Sequence, residues 1–420
     1  MPHMEHALRT ISDQISAARA DARPLHICGG GTKSFQGISH GELLDTRTLN
    51  GVISYEPTEL VVTVGSGTPL AELEALLAEQ GQCLAFEPPH FAWSQQNAQE
   101  PMAATVGGMV AAGLAGPSRA SVGGVRDYVL GVKLINGLGQ HLTFGGQVMK
   151  NVAGYDVSRL MVGARGTLGL LTEISLKVLP MAPAEATLHF AVEQHEALEH
   201  LHRWGGEPLP LNASCWVMAP NPGHASPPEG VQSLLGRPGE GLIAPNPGHD
   251  SPPEGLIDPT PSLYVRLRGA VAAVEAACKR MLAEAPGQRL DNAQTIPDWN
   301  MCRNQQLPFF ANKTQPDAVL WRISVPQTAP VLRLPAHPLV EWHGGLRWVW
   351  APASAAAEVQ AAARAAGGSA SVFVNPAAVQ ANGVSAGHAL SSESPALSAI
   401  GRRLKASFDP QGIFNPGLVS

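Results

Sequence analysis

Residues 24–34 read Pro-Leu-His-Ile-Cys-Gly-Gly-Gly-Thr-Lys-Ser, a short, mostly apolar run that stops at three consecutive glycines. The run predicts a buried β-strand, and the glycines let the chain curl tightly after it. In such a curl, consecutive backbone amides and the Thr and Ser hydroxyls can point at one anion. We therefore interpret the segment as a phosphate-binding loop whose candidate contacts are Gly29, Gly30, Gly31, Thr32, Lys33 and Ser34.

Two common phosphate-binding motifs do not fit this loop. A Walker A motif requires a glycine immediately before its lysine, and Thr32 stands there. A dinucleotide fingerprint of the Gly-x-Gly-x-x-Gly type fails as well, because Gly31 is followed three residues later by Ser34. The loop therefore argues against a mononucleotide kinase and against an NAD enzyme. Taken alone, the glycines are equally typical of an ordinary tight turn.

A second glycine-rich segment follows downstream. Ala104–Gly113 carries no charge and leads into Ser121–Asp127, so its backbone can closely approach a flat or anionic group. Between the glycine segments, Glu56–Gly67 predicts a strand, and Thr68 is expected to N-cap a helix with Pro69 at its first position. We interpret the two glycine segments as halves of one nucleotide cradle.

The order of these motifs, completed by Lys150–Asp156, Gly163–Glu173 and Phe408–Gly417, resembles flavoproteins of the vanillyl-alcohol oxidase type. The resemblance implies an α+β fold, with a two-lobed FAD-binding domain of the PCMH type and an α+β cap domain. Within this family, the chain is most similar to the FAD-binding subunits of bacterial glycolate oxidases. The similar segments of the cap are Trp299–Phe310, Leu320–Pro326 and Gly345–Trp348.

The resemblance also implies which residues contact FAD. The phosphate loop would bind the pyrophosphate, and covalent relatives attach FAD to a histidine in or just after this loop, often with a cysteine in the second glycine segment. Here Thr32, Lys33 and Ser34 occupy the first place and residues 104–131 contain no cysteine, so we predict non-covalent FAD. The other implied contacts are Thr105, Gly107, Gly108, Gly123, Gly124, Arg126, Asp127, Gly166, Thr167, Glu173 and Asn415.

Length and an internal repeat predict the domain organisation. With 420 residues, 44% of them hydrophobic, the chain can form two cores. We expect an FAD-binding domain at 1–180, a cap domain at 181–390, and a segment at 391–420 that returns to the FAD domain. The near-exact repeats Ala219–Gly230 and Ala244–Gly255 mark a Pro- and Gly-rich insertion at about 219–260. It is too poor in large apolar residues to form a core, so we interpret it as a duplicated cap loop, with a partner-docking arm as the alternative.

Two arginines of the predicted cap, Arg322 and Arg347, are candidates for binding a substrate carboxylate. Period-2 alternation places each of them opposite the tryptophans of its strand. If the aromatic faces pack on cap helices, both guanidinium groups would face the flavin, where they suit a carboxylate. Pairing with acids on an exposed sheet is an equal alternative. Arg303 could assist the clamp, and no base is singled out among His337, His343 and His388.

Charge and cysteine content exclude several functional classes. Only 15% of the residues are charged and the net charge is −6, which argues against a nucleic-acid footprint. No apolar run reaches membrane-spanning length and the N-terminus is polar and acidic, so we expect a cytoplasmic protein. The five cysteines form no Cys-x-x-Cys pair, and His195, His200 and His202 lack i, i+4 spacing. We therefore predict neither an iron–sulfur cluster nor a metal site in this chain.

The family resemblance implies an FAD-binding subunit of a glycolate oxidase-type complex. It would oxidise glycolate to glyoxylate by hydride transfer to FAD and pass electrons to a larger flavin subunit and an iron–sulfur subunit. Two alternatives stay open: a stand-alone FAD-dependent dehydrogenase for D-lactate or a similar 2-hydroxy acid, and a non-catalytic assembly subunit. Peripheral association with the inner membrane through the complex is compatible with this sequence.

Overall fold

The chain forms two compact units. The computed structural model describes residues 2–36, 40–91, 103–146, 156–220, 259–311, 313, 315, 317–375 and 395–418. The first unit comprises Met1–Met181, Val319–Trp321 and Ala370–Ser420, and the second comprises Ala182–Ala318 and Arg322–Ser369. The functional division into an FAD domain at 1–180, a cap at 181–390 and a returning segment at 391–420 stays a prediction.

In its described residues, the first unit combines α-helices with three sheets. Two parallel strands, β1 and β2, form one sheet, β5 and β9 form another, and the largest is antiparallel with the order β3-β4-β8-β6-β7. The described helices of residues 1–181 are α1 (Pro2–Ala20), α2 (Leu70–Glu79), α3 (Val106–Ala112), α4 (Arg119–Val122) and α5 (Val157–Leu160). The strands are β1 (Leu25–Cys28), β2 (Glu42–Asp45), β3 (Val52–Glu56), β4 (Val61–Gly65), β5 (Gln82–Cys83), β6 (Val129–Ile135), β7 (His141–Gly145), β8 (Leu170–Lys177) and β9 (Leu179–Pro180).

Two hydrophobic clusters, formed by residues that the structure describes, support this unit. Helix α1 places Ile11 and Ile15 four residues apart on one face, where they pack with Leu25 of β1 and Leu44 of β2. The second cluster joins the five-stranded sheet to α2 and α3, and all five residues of β4 are buried within the sheet. Two cores within one α+β unit agree with the predicted two-lobed fold, and the predicted α+β class is confirmed.

The second unit is built on a large sheet. Its strands lie in the order β13-β10-β12-β11-β15-β16-β14, and the pairs from β13 to β16 are antiparallel. The described helices are α6 (Gln194–Gly205), α7 (Val271–Glu284), α8 (Asn292–Arg303), α9 (Pro308–Ala311) and α10 (Ala356–Ala365). The strands are β10 (Ala184–Phe190), β11 (Leu211–Pro220), β12 (Pro259–Gly269), β13 (Gln288–Leu290), β14 (Ala318–Ser324), β15 (Leu339–Glu341) and β16 (Leu346–Pro352).

One face of this sheet is apolar. On β12, Leu263, Val265 and Leu267 alternate with polar residues, and all three belong to a buried cluster with α6 and α7. β11 pairs with β12 as far as Pro220 and Pro259, so the predicted insertion connects the ends of a hairpin. Most of that insertion, residues 221–258, lies outside the described residues.

The C-terminal segment is anchored by a buried carboxylate. After β17 (Ser369–Val374), helix α11 (Pro395–Phe408) ends one residue before Asp409, which is 1% exposed. The carboxylate of Asp409 accepts hydrogen bonds from the amides of Ile413 (3.1 Å) and Phe414 (2.8 Å) and pairs with Lys405 Nζ at 2.6 Å. The amide of Leu25 then donates to Ile413 O at 2.7 Å, which ties β1 to this segment.

Two local predictions were wrong in detail. The residue that caps α2 is Pro69, because the Thr68 hydroxyl instead bonds to Gly65 O at 2.7 Å and accepts from the amide of Gly51 at 3.0 Å. The Glu-rich segment Glu193–Arg203, for which the sequence predicts a solvated helix, is amphipathic instead. Its helix, α6, buries one apolar face that ends at Trp204, and His200 stacks on that ring.

We predict that Asp409→Ala lowers the free energy of unfolding by about 3 kcal/mol, because two amides and the Lys405 ammonium lose a buried acceptor. Urea denaturation of the full chain measures this change. Asp13→Asn, at an exposed position of α1, is the matched control and should change the free energy of unfolding by less than about 0.5 kcal/mol. Equal effects of the two substitutions would contradict the anchoring role.

Candidate cofactor pocket

A pocket of the first unit lies at the end of β1. The phosphate loop, Gly29–Ser34, follows β1 and lines this pocket. Thr105, Gly107 and Gly108 from the start of α3 line it as well, together with two predicted residues from distant segments, Gly166 and Asn415. The structure thus brings the two glycine segments to one cavity, while their contact with a cofactor stays a prediction.

Gly29 and Gly30 of this loop lie too close to a neighbouring chain segment to carry a side chain. A Cβ on Gly30 would lie 1.7 Å from the carbonyl oxygen of Ala103, and a Cβ on Gly29 would lie 2.4 Å from Thr105 Oγ1. Neither distance is sterically possible without moving one of the two segments. The triple glycine therefore lets the phosphate loop pack against the residues just before α3, in addition to leaving room for a ligand.

The loop has backbone donors to offer. Among the described residues, the amides of Gly30, Thr32 and Lys33 have no acceptor, whereas the amide of Gly31 donates to the Cys28 thiol and the amide of Ser34 closes a turn onto Gly31 O at 3.1 Å. Gly31 has φ 66°, the left-handed conformation that lets the turn form. Successive unpaired amides around such a turn form a nest that suits an anion.

Lys33 adds a positive charge to the pocket. Its Nζ lies 5.7 Å from the centroid of the Phe91 ring and 3.4 Å from Thr32 Oγ1, and it forms no ion pair within the part of the chain that the structure describes. Burial lowers the pKa of Lys33 to about 8, because the charged form loses hydration. A bound anion would restore a counter-charge.

Two other predicted contacts that line the pocket, Thr105 and Asn415, form side-chain hydrogen bonds with backbone atoms. Thr105 N-caps α3, with Oγ1 accepting from the amide of Gly108 at 3.2 Å. Asn415 accepts from the amide of Ile27 at 2.7 Å and donates to Arg165 O at 2.7 Å, so its side chain braces β1 against the turn before Gly166. Its predicted approach to the flavin ring stays a prediction.

Six predicted cofactor contacts do not line this pocket. Asp127 accepts from the amide of Gly124 at 2.9 Å and so stabilises a turn, Glu173 pairs with Lys133 at 2.8 Å, and the Thr167 hydroxyl donates to Ala164 O at 2.7 Å. These local partners account for the positions of their side chains. The six residues are Gly123, Gly124, Arg126, Asp127, Thr167 and Glu173.

Several pocket residues were missed from the sequence. Ser66 directly follows β4, just as Gly29 directly follows β1. Its position at a strand end could therefore have identified it from the sequence. His26 and Cys28 also line the pocket; burial lowers the pKa of His26 and, with Asp45 nearby, raises that of Cys28. His26 Nδ1 and Ser66 Oγ are buried and have no hydrogen-bond partner within the described ranges.

The two predicted clamp arginines both lie beside the turn Trp342–Gly344 of the second unit. The Arg322 guanidinium lies 5.4 Å from the centroid of the Trp342 ring, and Arg322 is partly exposed. Arg347 is 0% exposed and donates to Gly344 O (2.9 Å) and Ala329 O (3.2 Å), so it joins two loops. Burial lowers the pKa of Arg347 to about 10. Their role as a carboxylate clamp stays a prediction.

The remaining candidate residues and motifs are dispersed along the chain. The imidazole of His343 is buried, lies 3.1 Å from Ser214 Oγ, and has its pKa lowered by burial to about 4. His337 is exposed, Arg303 ends α8, and His388 lies outside the described residues, as do residues 150–155 of the predicted Lys150–Asp156 motif. Within the described ranges, no group of three or more His, Cys, Asp or Glu side chains is arranged to hold a metal ion. No described helix has the length and apolar character needed to cross a bilayer.

Comparison with known proteins identifies the family. Residues 7–145 match a family model described as an FAD binding domain. The chain is 38% identical to glycolate oxidase subunit GlcE of Escherichia coli over 411 residues, which cover 97% of this chain and 96% of that protein. The chain belongs to the GlcE family of glycolate oxidase subunits. The unpaired loop amides and the Lys33 ammonium fit the diphosphate of FAD in chemistry.

Other relatives match mainly one part of the chain. Glycolate oxidase subunit GlcD of Bacillus subtilis is 28% identical over 41% of this chain and 34% of its own length. A D-lactate dehydrogenase of Anaerostipes hadrus is 30% identical over 38% of this chain and 31% of its own length. The solved structure of an alkyldihydroxyacetonephosphate synthase matches with a TM-score of 0.61 at 15% identity, covering 97% of this chain and 75% of that one, which shows a shared fold alone.

We predict that Gly30→Ala weakens FAD binding at least about tenfold, because the added Cβ forces the phosphate loop away from Ala103. Equilibrium titration of the apo chain with FAD, followed by flavin fluorescence, measures the affinity. Gly401→Ala in α11 is the control, since a Cβ there meets no atom within 4 Å. The packing argument fails if Gly30→Ala binds FAD as tightly as this control.

A second prediction concerns pH. FAD affinity should fall as the pH rises through about 8, because Lys33 has its pKa lowered from 10.5 to about 8 and loses its charge above that pH. Lys33→Met should bind FAD about tenfold more weakly at pH 7 and lose this pH dependence. Titrations between pH 6.5 and 9.5 test both points, with exposed Lys279→Met as the control. A wild-type affinity that is constant over this range would contradict the proposed charge interaction.

Proposed function

We propose that this chain binds one FAD non-covalently in the first-unit pocket and uses it to oxidise a small 2-hydroxy acid, with glycolate as the first candidate. The observation that carries the proposal is the relation to GlcE over 97% of the chain, which includes both units and extends well beyond the FAD binding domain at residues 7–145. A shared flavin domain alone would match only the N-terminal part.

Separate residues of the chain would bind the FAD diphosphate and the substrate carboxylate. The amides of Gly30–Lys33 and the Lys33 ammonium would hold the diphosphate, and the bound FAD supplies a two-electron acceptor. Arg322 would bind the substrate carboxylate through its partly exposed guanidinium, and Arg347 would support it by fixing the turn Trp342–Gly344. The partly buried Cys28 thiol, whose pKa is raised, is a poor nucleophile, which supports non-covalent FAD.

We further propose that the chain works within a glycolate oxidase complex. Its partners would be a larger flavin subunit and an iron–sulfur subunit, because the five cysteines form no cluster-binding motif and the electrons must leave the flavin through another chain. Such a complex would be cytoplasmic and could attach peripherally to the inner membrane through these partners.

The stand-alone dehydrogenase alternative has weaker support. The D-lactate dehydrogenase relative matches only 38% of this chain, a length that one flavin domain accounts for. The assembly-subunit alternative would require a chain whose flavin does not react with substrate. One experiment therefore separates the proposal from both alternatives.

The experiment is the visible absorption spectrum of the purified, FAD-loaded chain during anaerobic addition of glycolate, with D-lactate added in a parallel sample. We expect flavin bands that bleach with glycolate, and faster than with D-lactate. Preference for D-lactate would favour the stand-alone dehydrogenase. Flavin bands that stay oxidised with both acids would place the chemistry on a partner, and a chain that takes up no FAD would refute the flavin function.

A further inference from the structure

The first-unit pocket is lined by two residues whose buried polar atoms bond to nothing within the described ranges. Ser66 Oγ and His26 Nδ1 are both buried, and neither has a hydrogen-bond partner among the described residues. Both residues line the pocket. Such atoms bond to water in the unfolded chain, so burying them without a partner costs free energy. Two of them at one pocket therefore indicate a ligand that supplies the missing bonds.

The backbone of Ser66 is held in place on both sides. Its amide donates to Thr172 O at 2.9 Å, and its carbonyl oxygen accepts from the amide of Gly107 at 2.7 Å. The residue is 1% exposed, and a Cβ on Gly107 would lie 2.8 Å from Ser66 Cβ. The residue after β4 is thus fixed against the start of α3. Its hydroxyl is the group that stays available to a ligand.

His26 belongs to the side of β1 opposite the apolar cluster. Leu25 and Ile27 pack in that cluster with α1, whereas His26 and Cys28 alternate with them along the strand. Burial lowers the pKa of His26 below its ordinary value of 6.5, because a charged imidazole would lose hydration. The imidazole is therefore neutral at pH 7, with one nitrogen that donates and one that accepts.

A neutral pair of this kind suits a hydroxyl group better than an anion. An anion accepts hydrogen bonds and gains from positive charge, which the amides of the phosphate loop and the Lys33 ammonium offer. A sugar hydroxyl both donates and accepts, as a serine hydroxyl and a neutral imidazole also do. In FAD, the groups bonded directly to the diphosphate carry such hydroxyls: the ribose on one side and the ribityl chain on the other.

Both side chains lie next to the phosphate loop. His26 precedes Gly29 by three residues, and a Cβ on Gly29 would lie 2.4 Å from Thr105 Oγ1. Ser66 accepts its hydrogen bond from Gly107, which is two residues beyond Thr105. The loop, the end of β4 and the start of α3 therefore meet at the pocket. A diphosphate on the loop amides would bring its attached sugars close to these two side chains.

We propose that Ser66 and His26 form a second subsite of this pocket, which binds a sugar hydroxyl of FAD beside the phosphate loop. The inference rests on the proposed function, because it takes FAD to be the ligand of the pocket. Ser66 Oγ and His26 Nδ1 form hydrogen bonds with hydroxyl groups of the ribose or of the ribityl chain. The subsite adds affinity for the sugar part of the cofactor to the affinity of the loop for its charge.

Equilibrium titration of the full apo chain with FAD, ADP and FMN tests the subsite. We expect Ser66→Ala and His26→Phe each to weaken FAD binding about tenfold, as for the loss of one hydrogen bond. ADP carries the diphosphate and the ribose, and FMN carries the ribityl chain with one phosphate. A loss that recurs with ADP assigns the contact to the ribose, and a loss that recurs with FMN assigns it to the ribityl chain.

Thermal unfolding of the apo chain separates binding from a structural role. Ser66→Ala removes no side-chain hydrogen bond within the described ranges, so it should change the apo Tm by less than about 2 °C. Ser175→Ala is the matched control, because Ser175 Oγ lies 2.8 Å from Thr63 Oγ1 in a buried contact and Ser175 does not line the pocket. This control should lower the apo Tm and keep the wild-type FAD affinity.

His6→Phe, at an exposed position of α1, is the control for the imidazole and should keep the wild-type FAD affinity. Wild-type FAD affinity in both Ser66→Ala and His26→Phe overturns the inference and leaves the proposed function standing. The inference also fails if Ser66→Ala lowers the apo Tm as much as Ser175→Ala, or if its loss with FAD recurs with neither ADP nor FMN. A wild-type chain that takes up no FAD overturns the proposed function and this inference together.

Discussion

The close approach of the phosphate loop to the segment before α3 is the constraint on which the cofactor pocket depends. A Cβ at Gly30 would lie 1.7 Å from Ala103 O, and a Cβ at Gly107 would lie 2.8 Å from Ser66 O. Glycine at these positions lets three chain segments meet in the first unit. Because the loop is held by this packing, the amides of Gly30, Thr32 and Lys33 stay unpaired among the described residues and are available to an anion. The same arrangement needs the C-terminus, since Asn415 and Asp409 tie β1 to a segment almost 400 residues away.

Much of this pocket was predictable because the relevant signals are local. Three glycines after an apolar strand predict an anion-binding turn from residues 24–34 alone, and the second glycine segment follows the same logic. By contrast, tertiary packing decides which strand ends meet at one cavity, so Ser66 after β4 was missed. The segment Gly123–Asp127 does not line the pocket, and Asp127 instead accepts a hydrogen bond from the Gly124 amide in its own turn. The family resemblance gave the α+β class correctly, whereas the cap of α2 depended on competing hydrogen bonds of Thr68.

The second unit shows what strand alternation can and cannot indicate. Ser262, Tyr264 and Arg266 alternate with Leu263, Val265 and Leu267 as clearly as Arg322 alternates with its neighbours. Alternation cannot tell which face a helix will cover. Arg347, paired across the sheet with Val340, lies on the face that packs against α6 and α7 and is fully buried, whereas His189 lies on the opposite face and stays partly exposed.

The measurement that tests the central claim most directly is an experimental structure of the full chain with FAD bound. The account predicts diphosphate oxygens within about 3 Å of the amides of Gly30–Lys33, with the Lys33 ammonium beside them. FAD bound elsewhere, or a diphosphate that contacts neither these amides nor Lys33, would contradict it.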